Sequence, residues 1–241
     1  MADKSLARAL KRKIGLDEDI LPKVEVKRGG SSLLMNPSRL KIFEYICNFP
    51  CSHLRAIARA TGYSPQTVRW HLGKLMQGGL ISPLLSKGKK FYSPLKNILG
   101  PEECGILVLL SREDIRNTYL FIEKWPKKTQ KELCQALNSY QQILSRVLLS
   151  LENSDLITYD KLGREKVYFI TPKVREIEKI FASNSKKFEI ALMYALEADS
   201  LNPDIVKSDK NHLSIKLDIG GGKGPILKIK KNPFTTLLRG R

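Results

Sequence analysis

The sequence predicts a mainly α chain with small β-hairpins, an α+β class. It is built from two copies of one unit and ends in a helical and β extension. Three observations predict this. Apolar residues recur at helical spacing in short segments that open on capping residues and close on Gly or Pro. A turn-interrupted stretch of hairpin type follows each set of three such segments. The segment Asn36–Tyr92 matches residues 112–168 without gaps at a constant offset of 76. That offset pairs Ile46 with Ile122, Phe49-Pro50 with Trp125-Pro126, Leu72 with Leu148, Leu80-Ile81 with Leu156-Ile157, and Tyr92 with Tyr168.

In the first copy, Asn36 is a good N-cap and Pro37 suits the first helical position. Leu40, Phe43, Ile46 and Cys47 share a helical face, and Pro50 ends the run. Ser52 offers a second start signal, with Leu54, Ile57 and Ala58 on one face up to Thr61-Gly62. Ser64-Pro65 repeats the cap-plus-proline signature. The third helix then runs to about Gln77, with Val68, Leu72 and Leu75 inward and Gly78-Gly79 as its stop. Leu80–Leu85 and Lys90–Ser93 read as a hairpin around Ser86-Lys87-Gly88-Lys89.

The chain of 241 residues is 42% hydrophobic, enough for real cores. Its net charge of +18 calls for a polyanionic partner. The excess is uneven: +3 over residues 1–35, +9 over 36–97, zero over 98–172, zero over 173–200 and +6 over 201–241. Half of it therefore lies on one unit, the footprint of a phosphate-contacting surface. These boundaries give five segments: a basic N-terminal extension, the first unit, the second unit, a helical linker and a basic C-terminal hairpin or arm. No run approaches the length of a membrane span, and Met1–Lys13 has no signal-peptide apolar block, so a cytoplasmic, nucleoid-associated protein is expected.

Three short helices, the last two joined by a tight turn and followed by a hairpin, make a winged helix-turn-helix. Ser64-Pro-Gln-Thr-Val-Arg-Trp-His-Leu-Gly-Lys-Leu, with Gly79-Leu-Ile after it, resembles the recognition-helix signature of ArsR/MarR-like winged-helix regulators. The second copy resembles it more loosely, through Leu148, Leu151, Leu156-Ile157 and Val167-Tyr-Phe-Ile-Thr. Tandem units of this kind resemble archaeal predicted regulators with two helix-turn-helix domains. The resemblance covers roughly residues 36–172 and implies binding to double-stranded DNA and regulation of transcription. Contacts with the transcription machinery are a further expectation. The competing reading is an architectural protein that binds DNA with little specificity, or uses its second unit for protein contacts.

In this motif the third helix enters the major groove. Its outward face carries Ser64, Gln66, Thr67, Arg69, Trp70 and Lys74. Gln66 can pair bidentately with adenine and Arg69 with guanine, and Thr67 can meet a thymine methyl. Trp70 either lies on a sugar-phosphate strand or packs against Arg55 or Arg59, with packing preferred. His71 reads as a core or junction residue. Lys87, Lys89 and Lys90 suit phosphate or minor-groove contact, and Arg55 and Arg59 extend the basic surface. In the second copy the face is Tyr140, Gln141, Gln142, Ser145 and Arg146, a weaker DNA contact or a partner surface.

Val174, Ile177, Phe181, Phe188, Ala191 and Ala195 follow a heptad-like spacing, making 173–198 the candidate for a homodimer seam, with packing on its own chain as the alternative. Ser183-Asn184-Ser185 is the expected break in that run. The tail reads as strands over Leu213–Ile219 and Ile226–Ile229 around Gly220-Gly-Gly-Lys-Gly, which lacks the Ser/Thr of a phosphate loop. Four cysteines with no Cys-x-x-Cys pair exclude an ordinary zinc ribbon. Cys47, Cys51 and His53 form a candidate redox or metal sensor, while Cys104 and Cys134 read as structural. No acid–base or nucleophile constellation stands out, so neither an enzyme nor a cofactor is expected.

Overall fold

The computed structural model describes residues 32–86, 88–95, 100–209, 211–218, 224–231 and 238. The basic N-terminal extension up to residue 31, Lys87 and the Gly-rich turn at 219–223 lie outside the described residues. The chain forms two compact units. One comprises residues 1–104 and 181–233, the other 105–180 and 234–241.

The first unit opens with a 3-10 turn over Leu33–Met35 and then α1, Pro37–Asn48. The Asn36 side chain accepts from the Arg39 amide, and Pro37 follows as the sequence predicts. Next come β1 (Ser52–His53), α2 (Leu54–Thr61), α3 (Pro65–Gln77), β2 (Ile81–Ser86) and β3 (Lys89–Pro94). The strands form an antiparallel sheet of order β1-β3-β2. Pro83 sits on the edge strand β2, where a missing N–H disturbs no ladder. Ser52 is not a helix cap, contrary to the sequence reading. Its hydroxyl donates to the Phe49 carbonyl at 2.7 Å, and its backbone pairs opposite Tyr92. The cap falls to His53, whose Nδ1 accepts from the Ala56 amide at 2.9 Å.

The second unit repeats this plan. α4, Pro101–Leu110, leads to α5 (Glu113–Lys124), β4 (Lys128–Thr129), α6 (Gln130–Ala136), α7 (Gln141–Glu152), β5 (Ile157–Leu162) and β6 (Glu165–Ile170). Its sheet order is β4-β6-β5. Each of these elements from α5 onward starts 76 residues after its counterpart. The backbone specials keep the same offset. Left-handed φ values occur at Cys51 and Lys127, at Gly62 and Asn138, and at Gly79 and Asp155. At Gly79 the φ of +70° reverses the chain between α3 and β2, a conformation glycine adopts without steric cost.

α8, Lys173–Ala198, is one unbroken helix. Ser183-Asn184-Ser185 does not interrupt it. Each costs only a few tenths of a kcal/mol against a good helix former, and burial on either side outweighs that. Val174 and Ile177 are buried, as are Phe188, Ala191, Leu192, Ala195 and Leu196. Of the residues expected to line a dimer seam, Val174, Ile177, Phe188, Ala191 and Ala195 are buried in their own chain, while Phe181 is half-buried.

The described part of the C-terminal segment contains the expected hairpin and one further strand. Strands β7 (Asn202–Ser208), β8 (His212–Asp218) and β9 (Ile226–Lys230) form a third antiparallel sheet, ordered β7-β8-β9. β7 was not legible because Asn202, Pro203 and Asp204 all disfavour strand. Leu213, Ile215, Leu217, Leu227 and Ile229 point into the same core as Ile42, Phe43, Ile46 and Leu72. The Asn48 carboxamide, at the end of α1, donates to the Lys228 carbonyl at 3.0 Å and accepts from the Lys230 amide at 2.8 Å. The free edge of β9 is thereby closed. At the other end of this core, Asp199 accepts from the Ser32 hydroxyl at 2.6 Å and from the Leu33 and Leu34 amides at 2.8 and 3.1 Å. Replacing Asp199 with Ala is expected to cost about 2 kcal/mol, the range for bonds to a charged group. An unchanged chemical-denaturation midpoint would show that these bonds are replaced by water at no loss.

Candidate nucleic-acid interface

α3 is positioned by its buried face. Val68, Leu72 and Leu75 are fully enclosed, and Ser64 fixes its start by accepting from the Thr67 amide at 3.1 Å. The Ser64 and Thr67 hydroxyls also bond each other at 2.8 Å, so both are tied to the cap. Opposite the core stand Gln66, Thr67, Arg69, Trp70 and Lys74, all exposed as the helical period predicts.

Trp70 is 56% exposed rather than packed away. Its indole meets the His71 ring edge-on, centroids 4.8 Å apart, and the Lys74 ammonium lies 5.9 Å from its centroid. His71 is buried, as the sequence reading has it, and its Nδ1 finds no hydrogen-bond partner among the described residues. Burial, with the nearby Arg39 guanidinium, pushes its pKa down, so the ring is held uncharged.

Arg55 and Arg59 are exposed on α2. With His53, Ala58, Gly62, Tyr63 and Pro65 they line an open cleft of about 670 Å³ beside the start of α3. The sequence reading missed two groups here: Lys41 lies over the Tyr63 ring at 5.5 Å, and Tyr63 in turn faces His71 at 6.5 Å. Lys89 and Lys90 are exposed where β3 begins, and Lys90 lies 5.9 Å from the Tyr92 ring. Leu85, 77% exposed near the hairpin tip, also went unread, although the Leu84-Leu85 pair must turn one side chain outward in a strand.

The second unit places Tyr140, Gln141, Gln142, Ser145 and Arg146 on the exposed side of α7. Ser145 is occupied: Gln130 donates to its hydroxyl at 2.6 Å. Two apolar residues missed by the sequence reading share that side. Ile143 is 48% exposed and Leu149 56%, beside Tyr140 at 80%. At the 76-residue offset they replace Thr67, Gly73 and Ser64, while Ser145 and Ser150 replace Arg69 and Lys74.

The structure does not assemble the Cys47, Cys51 and His53 trio. Cys47 is free and buried, and burial, with the Glu44 carboxylate, pushes its thiol pKa up. Cys51 is bonded to Cys104 of α4, and His53 caps α2. Among the described residues, no group of three or more His, Cys, Asp or Glu side chains can hold a metal ion. No helix among them is long and apolar enough to cross a membrane.

Helix, tight turn, exposed recognition helix and hairpin define a DNA-binding domain of the winged helix-turn-helix class. Residues 35–82 match the family model described as winged helix-turn-helix DNA-binding. The chain is similar to an uncharacterized HTH-type transcriptional regulator of Methanocaldococcus jannaschii, 27% identical over 151 residues. The match covers 61% of this chain and 37% of that relative, so the chain spans little more than a third of the relative's length. Among solved structures, ScpB from Mycobacterium tuberculosis aligns over 57% of this chain and 93% of its own, at 14% identity and a TM-score of 0.25.

Proposed function

We propose that this protein is a transcriptional regulator that binds double-stranded DNA sequence-specifically, with α3 in the major groove and the β2–β3 hairpin on the backbone. One observation carries the reading. The outward face of α3 presents Gln66 and Arg69, the side chains that pair bidentately with adenine and guanine, and carries no acid. Both side chains can also bond phosphate, but it is their bidentate contact with base edges that carries sequence information. The similarity to a relative named as a regulator points the same way. The protein acts in this reading by binding, not catalysis, in the compartment of its genome.

We read residues 113–170 as a second winged helix that no longer reads DNA as the first does. The observation that favours this is the exchange of Ser64, Thr67 and Gly73 for Tyr140, Ile143 and Leu149, all exposed. Tyr and Arg146 beside aliphatic residues make the composition of a protein-facing surface, and the transcription machinery is the partner class this suits.

Selection of bound fragments from genomic DNA is expected to return one recurring motif; an even genomic spread would establish the architectural role instead. On that motif, replacing Gln66 and Arg69 together by Ala should lower affinity about thirtyfold or more, since each bidentate pair gives roughly 1–3 kcal/mol. Replacing Gln142 and Arg146 should lower it less. Equal losses in gel-shift titrations at fixed salt overturn the division of labour between the two units.

A further inference from the structure

We infer that Trp70 is a specificity-determining residue that reads the C5-methyl group of a thymine. The inference rests on the proposed placement of α3 in the major groove. Trp70 is the only exposed large hydrophobic side chain on α3. It stands between Arg69 and Lys74 on the face that approaches base edges. In that groove the bases display donors, acceptors and one apolar group, the thymine methyl. An indole left facing donors and acceptors would gain nothing from its ring, whereas a methyl covers apolar carbon with apolar carbon.

The ring is held ready for this contact. Its edge abuts His71, whose ring is itself buried and faces Tyr63. His71 is uncharged for the reason given above, so the brace is an aromatic contact without a cation beneath the indole. Lys74, one turn along and exposed, holds its ammonium 5.9 Å from the ring centroid, where it can also reach phosphate. A rigid aromatic with few rotamers to lose is well suited to an anchor at an interface. Sugar or phosphate contact is the competing use of the same side chain, and it is indifferent to the base methyl.

The test uses the full chain and the motif it selects. Each thymine of that motif is replaced in turn by deoxyuridine, which deletes only the methyl. Wild-type protein is expected to lose about fourfold in affinity at one position, the worth of one buried methyl. Trp70→Ala is expected to lose several-fold on the thymine duplex and nothing further on the deoxyuridine duplex. In a Trp125→Phe background, Trp70 fluorescence should change on binding. Circular dichroism checks that the variant is folded, as its exposed position predicts. Equal deoxyuridine losses in both proteins overturn the contact, as do a thymine-free motif or an unchanged affinity for Trp70→Ala. A protein that selects no motif at all sinks the regulator reading itself, an outcome distinct from any of these.

Discussion

Replacing Cys51 and Cys104 together by Ser is expected to lower the unfolding free energy by about 4 kcal/mol. The bond joins residues 53 apart in sequence, and it encloses α2, α3 and the β2–β3 hairpin within one loop. Cross-linking a chain at that separation removes much of the freedom its unfolded form would have. The chain-entropy relation gives roughly 4 kcal/mol for a loop of this length. Both sulfurs are buried, and Cys51 also lies 3.4 Å from the Ser93 hydroxyl on β3, so the bond is enclosed by the structure it holds. A buried bond is slow to exchange with solvent thiols, which suits a permanent staple better than a sensor. Denaturant unfolding of the wild type, oxidised and fully reduced, against the double variant is the measurement. The reduced wild type should coincide with the variant. If the oxidised wild type coincides as well, or if four thiols titrate in the unfolded, unreduced protein, the staple does not exist.

The second large effect is expected at the end of β9. Lys231 donates to Glu189 at 3.1 Å and to the Ser208 hydroxyl at 2.8 Å, and both members of this ion pair are buried. The pair ties the last described turn of the C-terminal sheet to α8 and β7 together. Its net worth is small, because burying both charges offsets their attraction. Breaking it is another matter. Lys231→Met leaves a carboxylate in the interior with Lys186, at 3.9 Å, as its remaining cation among the described residues. A loss of about 3 kcal/mol is expected, the low end for a broken buried pair because Lys186 neutralises part of the charge. Adding Glu189→Leu should return most of it. A double variant as unstable as the single one would show that the loss comes from packing, and the charge argument would then be discarded. The double-mutant cycle is read from urea midpoints at fixed pH.

What was legible in the sequence follows from the range of each signal. Caps and prolines act within a turn, so Asn36-Pro37 and Ser64-Pro65 locate α1 and α3 correctly. The 3.6-residue period puts Gln66, Arg69 and Lys74 outside and Leu72 inside with no further information. Features created by distant partners left no such trace. β1 is two residues long and owes its strand state to pairing with Phe91 and Tyr92. Cys51 has Cys47 four residues away and Cys104 far along the chain, and only the fold decides between them. β7 carries unfavourable residues and forms because β8 lies beside it. On α7, Ile143 and Leu149 cannot hydrogen-bond bases and carry no local mark of a site; their meaning emerges from comparison with Thr67 and Gly73.

The first unit is discontinuous in sequence, and that orders events during synthesis. Its helix-turn-helix leaves the ribosome early, but Ile215, Leu217, Leu227 and Ile229, which cover α1 and its neighbours, emerge only after the whole second unit. At roughly 5–20 residues per second the delay is on the order of ten seconds. Meanwhile the second unit can complete its own core, since its elements from α5 through β6 are contiguous. The contiguous stretch from α5 through β6 therefore has its partners before the first unit does, and the first unit's core is complete only when β8 and β9 return to it. A nascent chain halted before β8 presents α3 on an unfinished core, a form suited to capture by chaperones rather than to DNA. The reader is licensed last, after everything between its two halves has been made.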